Sequence, residues 1–155
     1  MDESKTGEAY LSAMVRTLVD AGNLHIRLFD GATPAVLHAE FEFPVPRGRV
    51  DMVAFHSDGS ATVCEIKDGS RGFQHALSGV GQVLSYGLQV ALSRGALTAV
   101  RTALMFSRTR SIADDILVVR ACEAAGVMPV ALGSVAEHKA AISDLYRKLE
   151  AGIHP

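Results

Sequence analysis

At 155 residues the chain is long enough for one domain with a substantial core. With 48% hydrophobic and 21% charged residues and a formal net charge of -2, it has an ordinary globular composition and lacks the global basic field that would advertise nucleic acid. Its two cysteines and six scattered histidines supply neither a disulfide framework nor zinc-ligand spacing. No signal-peptide pattern or membrane-length apolar run is seen, so a cytoplasmic setting is expected.

Tyr10, Leu11, Met14, Val15, Leu18 and Val19 recur at helical spacing and predict a helix over residues 5–20. Glu8 lies on that apolar stripe, where a carboxylate needs a partner or an exposed N-terminal position. A short strand is expected over 24–29 and a longer one over 36–45, ended by Pro44 and Pro46. Glu40 and Glu42 share one face of the longer strand. Solvent is the first expectation for both, with a reach toward a site as the alternative. Residues 49–56 and 61–68 predict a hairpin around Ser57-Asp58-Gly59-Ser60. Residues 73–93 contain no charged side chain, which predicts a helix buried nearly all round. It carries one polar stripe, His75, Ser78, Gln82, Tyr86 and Gln89, which is expected to face a site. A strand over 99–106 follows. Then come a helix opened by Ser111 and stopped at Gly126, a strand over 128–132, and a last helix to about 149 opened by the Ser134-x-x-Glu137 capping box. No repeat or linker divides the chain.

The chemistry concentrates in the hairpin. Asp51, Glu65 and Lys67 stand on two apolar strands, where charge is normally excluded. Alternation puts Val63, Glu65 and Lys67 on one strand face. A two-residue turn would pair Asp51 with Ile66 and put the two acids on opposite faces. A three- or five-residue loop, or a bulge, is therefore required for them to meet. If they meet, Asp51 and Glu65 suit Mg²⁺ or Mn²⁺, with the Ile66 carbonyl as a further oxygen ligand. Lys67 would then orient water or offset phosphate charge. The bland alternative is an exposed Glu65–Lys67 ion pair. Arg47, Arg49 and Arg71 flank the motif as candidate nucleic-acid contacts. Arg94, Arg101, Arg108 and Arg110 form a second basic group that reads as solvated surface.

Asp51, then Glu65-x-Lys67, then Gln82-x-x-x-Tyr86 on the following helix, resembles the PD-(D/E)XK nuclease superfamily, in particular its RecB-like branch. Val50 stands where the family name has proline. The resemblance implies an α/β restriction-endonuclease-like fold. Its αβββαβ core and mixed sheet would span about 5–106, with a C-terminal β/α extension over 107–155, all in one domain over 1–155. It implies a metal-dependent deoxyribonuclease in which Asp51 and Glu65 ligate Mg²⁺ or Mn²⁺ and Lys67 positions or activates the attacking water. Gln82 and Tyr86 would support the site or the nucleic-acid backbone. Glu8 matches the acidic residue many members carry on the first helix, as a further ligand, with Glu40 as its rival. The expected partner is DNA, with RNA as the alternative polymer, and a homodimer or a place in a larger complex is expected. A non-catalytic module of the same fold, serving DNA binding or assembly, is the rival expectation. The cleft is expected between the hairpin and the polar stripe of the second helix.

Overall fold

In the computed structural model, residues 3–20, 29 and 32–152 are described. The strand expected over 24–29 lies outside them except for Phe29, which is a buried residue in a bend. The elements are α1 (Glu3–Asp20), β1 (Val36–Val45), β2 (Gly48–His56), β3 (Ala61–Lys67), a 3₁₀ turn (Gly69–Arg71), α2 (Phe73–Ser93), β4 (Val100–Phe106), α3 (Ile112–Ala124), β5 (Met128–Ala131) and α4 (Val135–Glu150). This is the expected αβββαβ core followed by a β/α extension. None of the described helices is long and apolar enough to cross a membrane.

The five strands form one mixed sheet in the order β1-β2-β3-β4-β5. The first three run antiparallel, and β4 and β5 add in parallel. A two-residue turn can join antiparallel neighbours, whereas a parallel neighbour needs a crossover, here supplied by α2 and α3. The central strand β3 has six of its seven residues buried, as expected where both faces are covered. On one face Leu11, Met14 and Val15 of α1 pack against Met52, Ala54, Cys64, Ile66, Ala103 and Met105. On the other, Ala76, Val83 and Val90 of α2 and Val118 and Cys122 of α3 pack against Val53, Val63, Leu104 and Phe106. The caps follow the expected chemistry. Ser111 Oγ accepts the Asp114 N–H at 3.1 Å, and Ser134 and Glu137 exchange reciprocal bonds of 3.0 and 3.1 Å.

The β2–β3 hairpin meets the required parity. Val53 pairs with Val63 and Met52 with Cys64, so Asp51 falls opposite Glu65 at the next step of the register. His56 and Ser60 close a three-residue loop, with the His56 N–H donating to Ser60 O at 2.9 Å and Gly59 taking φ 83.

One expectation is corrected. The charge-free helix α2 is not buried all round: Ala76, Gly79, Val83, Gly87 and Val90 are buried, while Gln82, Leu84, Ser85, Leu88 and Leu92 are exposed. Low charge does not distinguish a buried helix from one whose outer face is apolar.

Candidate active site

Pairing between β2 and β3 ends at Met52–Cys64, and side-chain chemistry takes over from the ladder. The Asp51 Oδ2 accepts the Ile66 N–H at 2.7 Å, so a carboxylate stands where a strand carbonyl would. The register of β1 places Glu42 opposite Asp51, and Glu42 has φ 53, in the left-handed region that disfavours a residue with a Cβ. The ribbon turns there. Phe41 packs on the α1 side and Phe43, two residues on, joins the α2 side.

Glu65 is only 4% exposed, which removes the reading of an exposed Glu65–Lys67 pair. Burial, the hydrogen-bonding proximity of the Asp51 carboxyl and the Asp51 charge push the Glu65 carboxyl up, to about 9; the Lys67 charge and an Asp51 backbone contact oppose the rise. Glu65 Oε1 is buried with no hydrogen-bond partner. Lys67 lies along α2 at Gly79, where an added Cβ would stand 3.0 Å from Lys67 Cγ and 3.5 Å from Cε.

This donor set fits a hard divalent cation. Two carboxylates are held together, one keeps a buried oxygen without a partner, and hard cations prefer oxygen ligands. Among the described residues no group of three or more His, Cys, Asp or Glu is placed to hold a metal ion. Glu8 Oε1 accepts from His75 Nε2 and from the Asp68 N–H at 3.4 Å. Arg71 Nη1 lies 3.4 Å from the other ring nitrogen of His75.

A cleft of about 380 Å³ opens beside Asp51, lined by Glu8, Ser12 and Arg16 of α1 with Glu42, Asp51 and Ile66 of the strands. It lies between α1 and the strand ends, not between the hairpin and α2 as expected. On the other face α2 packs closely on β4: an added Cβ at Gly79 would come 2.5 Å from Leu104 Cδ1, and one at Gly87 2.5 Å from Thr102 Cγ2.

The polar stripe of α2 divides along its length. His75 holds Glu8, Ser78 Oγ donates to the His75 carbonyl at 2.6 Å, and Gln82 is exposed. Tyr86 lies against Gly48, and burial followed by the Glu65 charge raises its hydroxyl above the usual range. Gln89 Oε1 accepts the Arg47 N–H at 2.7 Å. Arg47, Arg49 and Arg71 are all exposed, and Arg49 reaches Glu42 at 3.7 Å. Glu40 faces solvent, whereas Glu42 is the strand acid that borders the cleft. In the second basic group, Arg101 bonds Ser60, Arg108 pairs with Glu137 and Arg94 lies over Phe43, a structural surface role. Arg16 was not legible as a site residue, because its helix position and its stacking on Phe41 at 4.3 Å give no local signal.

No protein-family model matches the chain, and no curated protein matches it. Solved structures similar to it include the following two. An EndoMS–dsDNA2 complex shares 19% identity at a TM-score of 0.48, over 77% of this chain and 43% of that one. A repair endonuclease from Pyrococcus abyssi shares 21% identity at a TM-score of 0.46, over 74% of this chain and 46% of that one. The chain thus spans less than half the length of either.

Proposed function

We propose that the chain is a divalent-metal-dependent nuclease that hydrolyses phosphodiester bonds in DNA. The reading is carried by Glu65: a buried carboxyl beside Asp51, with an oxygen that nothing in the described structure satisfies. A buried carboxyl beside a second, half-buried one is costly unless one holds a proton or a cation neutralises both. Asp51, Glu65 and the Ile66 carbonyl are the groups that would hold Mg²⁺ or Mn²⁺. When bound, the ion lowers the pKa of a coordinated water and offsets charge on the attacked phosphate. Lys67 stands two residues beyond Glu65 on the same strand face, where its ammonium orients the attacking water and stabilises the developing charge. Asp51 and Glu65 hold their positions because one is tied to the Ile66 N–H and the other is buried in the central strand. DNA as the polymer comes from the resemblance of the motif.

The test is cleavage of a labelled DNA duplex across a titration of Mg²⁺ and Mn²⁺. Cleavage is expected to need the metal and to fall by about 10²–10³-fold in Lys67→Ala and in Asp51→Asn. Asparagine is chosen because its amide oxygen can still accept the Ile66 N–H, whereas alanine would orphan that donor at a cost of about 1–3 kcal/mol. Metal-dependent cleavage that persists in both variants would sink the assignment. Binding without cleavage under either metal would favour the non-catalytic module.

A further inference from the structure

We propose that the β1–β2 turn is a contact for the nucleic-acid backbone whose shape is set from α2, with Tyr86 and Gln89 as its positioning residues; this rests on the nuclease reading above. The turn is short, with Val45 paired to Gly48 across Pro46 and Arg47. Three successive residues of it lie against one helix, and one of them is hydrogen-bonded to it. The Arg47 N–H donates to Gln89 Oε1 at 2.7 Å. The Tyr86 hydroxyl lies beside the Arg49 backbone. Between them Gly48 takes φ 133, and a Cβ there would stand 2.8 Å from Tyr86 Cε1 and 2.9 Å from its hydroxyl oxygen.

These contacts use the backbone and leave the side chains. The Arg47 and Arg49 guanidinium groups point from a fixed turn that leads directly into Asp51 on β2. Arg49 meets Glu42, which lines the cleft, at 3.7 Å, with the two side chains 68% and 54% exposed. An exposed pair of this kind is worth little and is readily exchanged for a phosphate oxygen. A flexible hairpin tip would have to be ordered each time a strand binds. One tied at Arg47 and packed at Gly48 against a helix avoids part of that entropy. Two arginines at a fixed offset from the acid pair therefore set the register of the bound backbone, the usual role of phosphate contacts. This accounts for Tyr86 and Gln89 as supports of the turn.

The experiment measures binding of a labelled DNA duplex by fluorescence anisotropy in EDTA, across a salt series, beside the Mg²⁺ cleavage assay on the same proteins. The Arg47→Ala/Arg49→Ala double variant is expected to bind about tenfold more weakly, with its salt slope reduced by about 2. Gln89→Ala and Tyr86→Phe keep both arginines yet are expected to weaken binding about 3- to 10-fold, and to do so far less in the arginine-less background. A general structural role would weaken binding equally in both backgrounds. An unchanged salt slope in the double variant, or a Gln89→Ala effect that survives intact without the arginines, overturns the proposal. If the slope is unchanged while the wild type cleaves, the turn proposal alone falls. If the slope shifts as expected but no metal gives cleavage, the nuclease reading alone falls. A wild type that neither binds nor cleaves overturns both.

Discussion

Glu65 is a residue whose environment disfavours its own charge. Its carboxyl, ordinarily near 4.5, is raised to about 9 by burial and by Asp51. The native state therefore retains a proton that the unfolded chain releases above about pH 4.5. The contribution of this group to stability should be greatest below that range and be lost as pH rises toward 9. Glu65→Gln removes the titration. Without divalent metal the variant should melt a few degrees above wild type at pH 8, at about 2–4 °C per kcal/mol, and the advantage should shrink toward pH 5. Mg²⁺ or Mn²⁺ should raise the wild-type melting temperature and leave the variant nearly unmoved, because a ligand that binds only the native state stabilises it. Thermal melts over pH 5–8, with and without metal, test this. A difference independent of pH would mean that Glu65 is satisfied by a contact other than a proton or a cation.

Among the elements, α2 shows how one helix meets two different demands. Gly79 and Gly81 are two residues apart, yet an added Cβ meets Leu104 Cδ1 at 2.5 Å at the first and open space at the second. Gly79→Ala should destabilise by about 1–3 kcal/mol through overpacking. It should also lower activity by displacing Lys67. Gly81→Ala should stabilise by about 0.5–1 kcal/mol, because alanine loses less entropy in a helix. Denaturant midpoints of the two variants should move in opposite directions. The helix itself was legible in the sequence to its end residues, because an uncharged, periodic stretch bounded by Gly72 and Arg94 allows little else. Its orientation was not. Leu84, Leu88 and Leu92 read as core by hydropathy and lie on the outer face, which only the packing of neighbours decides.

Across the whole molecule, two helical layers share one sheet. The acid pair sits where β2 leaves β3, with the cleft on the α1 side and Lys67 along α2. The order of elements along the chain, the helix caps and the parity condition on Asp51 and Glu65 could be derived beforehand, since each depends on residues close in sequence. The Glu8–His75 contact, the positive φ of Glu42 and the side on which the cleft opens could not, because each depends on partners far apart in the chain. The hairpin register is a global choice of this kind. Asp58-Gly59 alone favours a two-residue turn. With β3 buried on both faces, core pattern discriminates registers weakly. The observed loop is instead held by Asp58 Oδ1 accepting from the Ser60 N–H at 2.9 Å, by the Thr98 N–H on Gly59 O at 3.1 Å and by Arg101 on Ser60 at 2.6 Å. Asp58→Asn strengthens the competing turn and weakens these ties. It should add a slow refolding phase and lower the active fraction, with Kd for metal unchanged in the molecules that reach the native register. Stopped-flow refolding with active-site titration measures both.

That loop stands roughly 17 Å of strand away from Asp51, at about 3.3 Å per residue. Mutational drift at Asp58, Ser60, Thr98 or Arg101 can therefore part Asp51 from Glu65 while Asp51, Glu65 and Lys67 themselves remain intact. A descendant that kept the complete motif but not the meeting of its two acids would carry the cause at the opposite end of the hairpin.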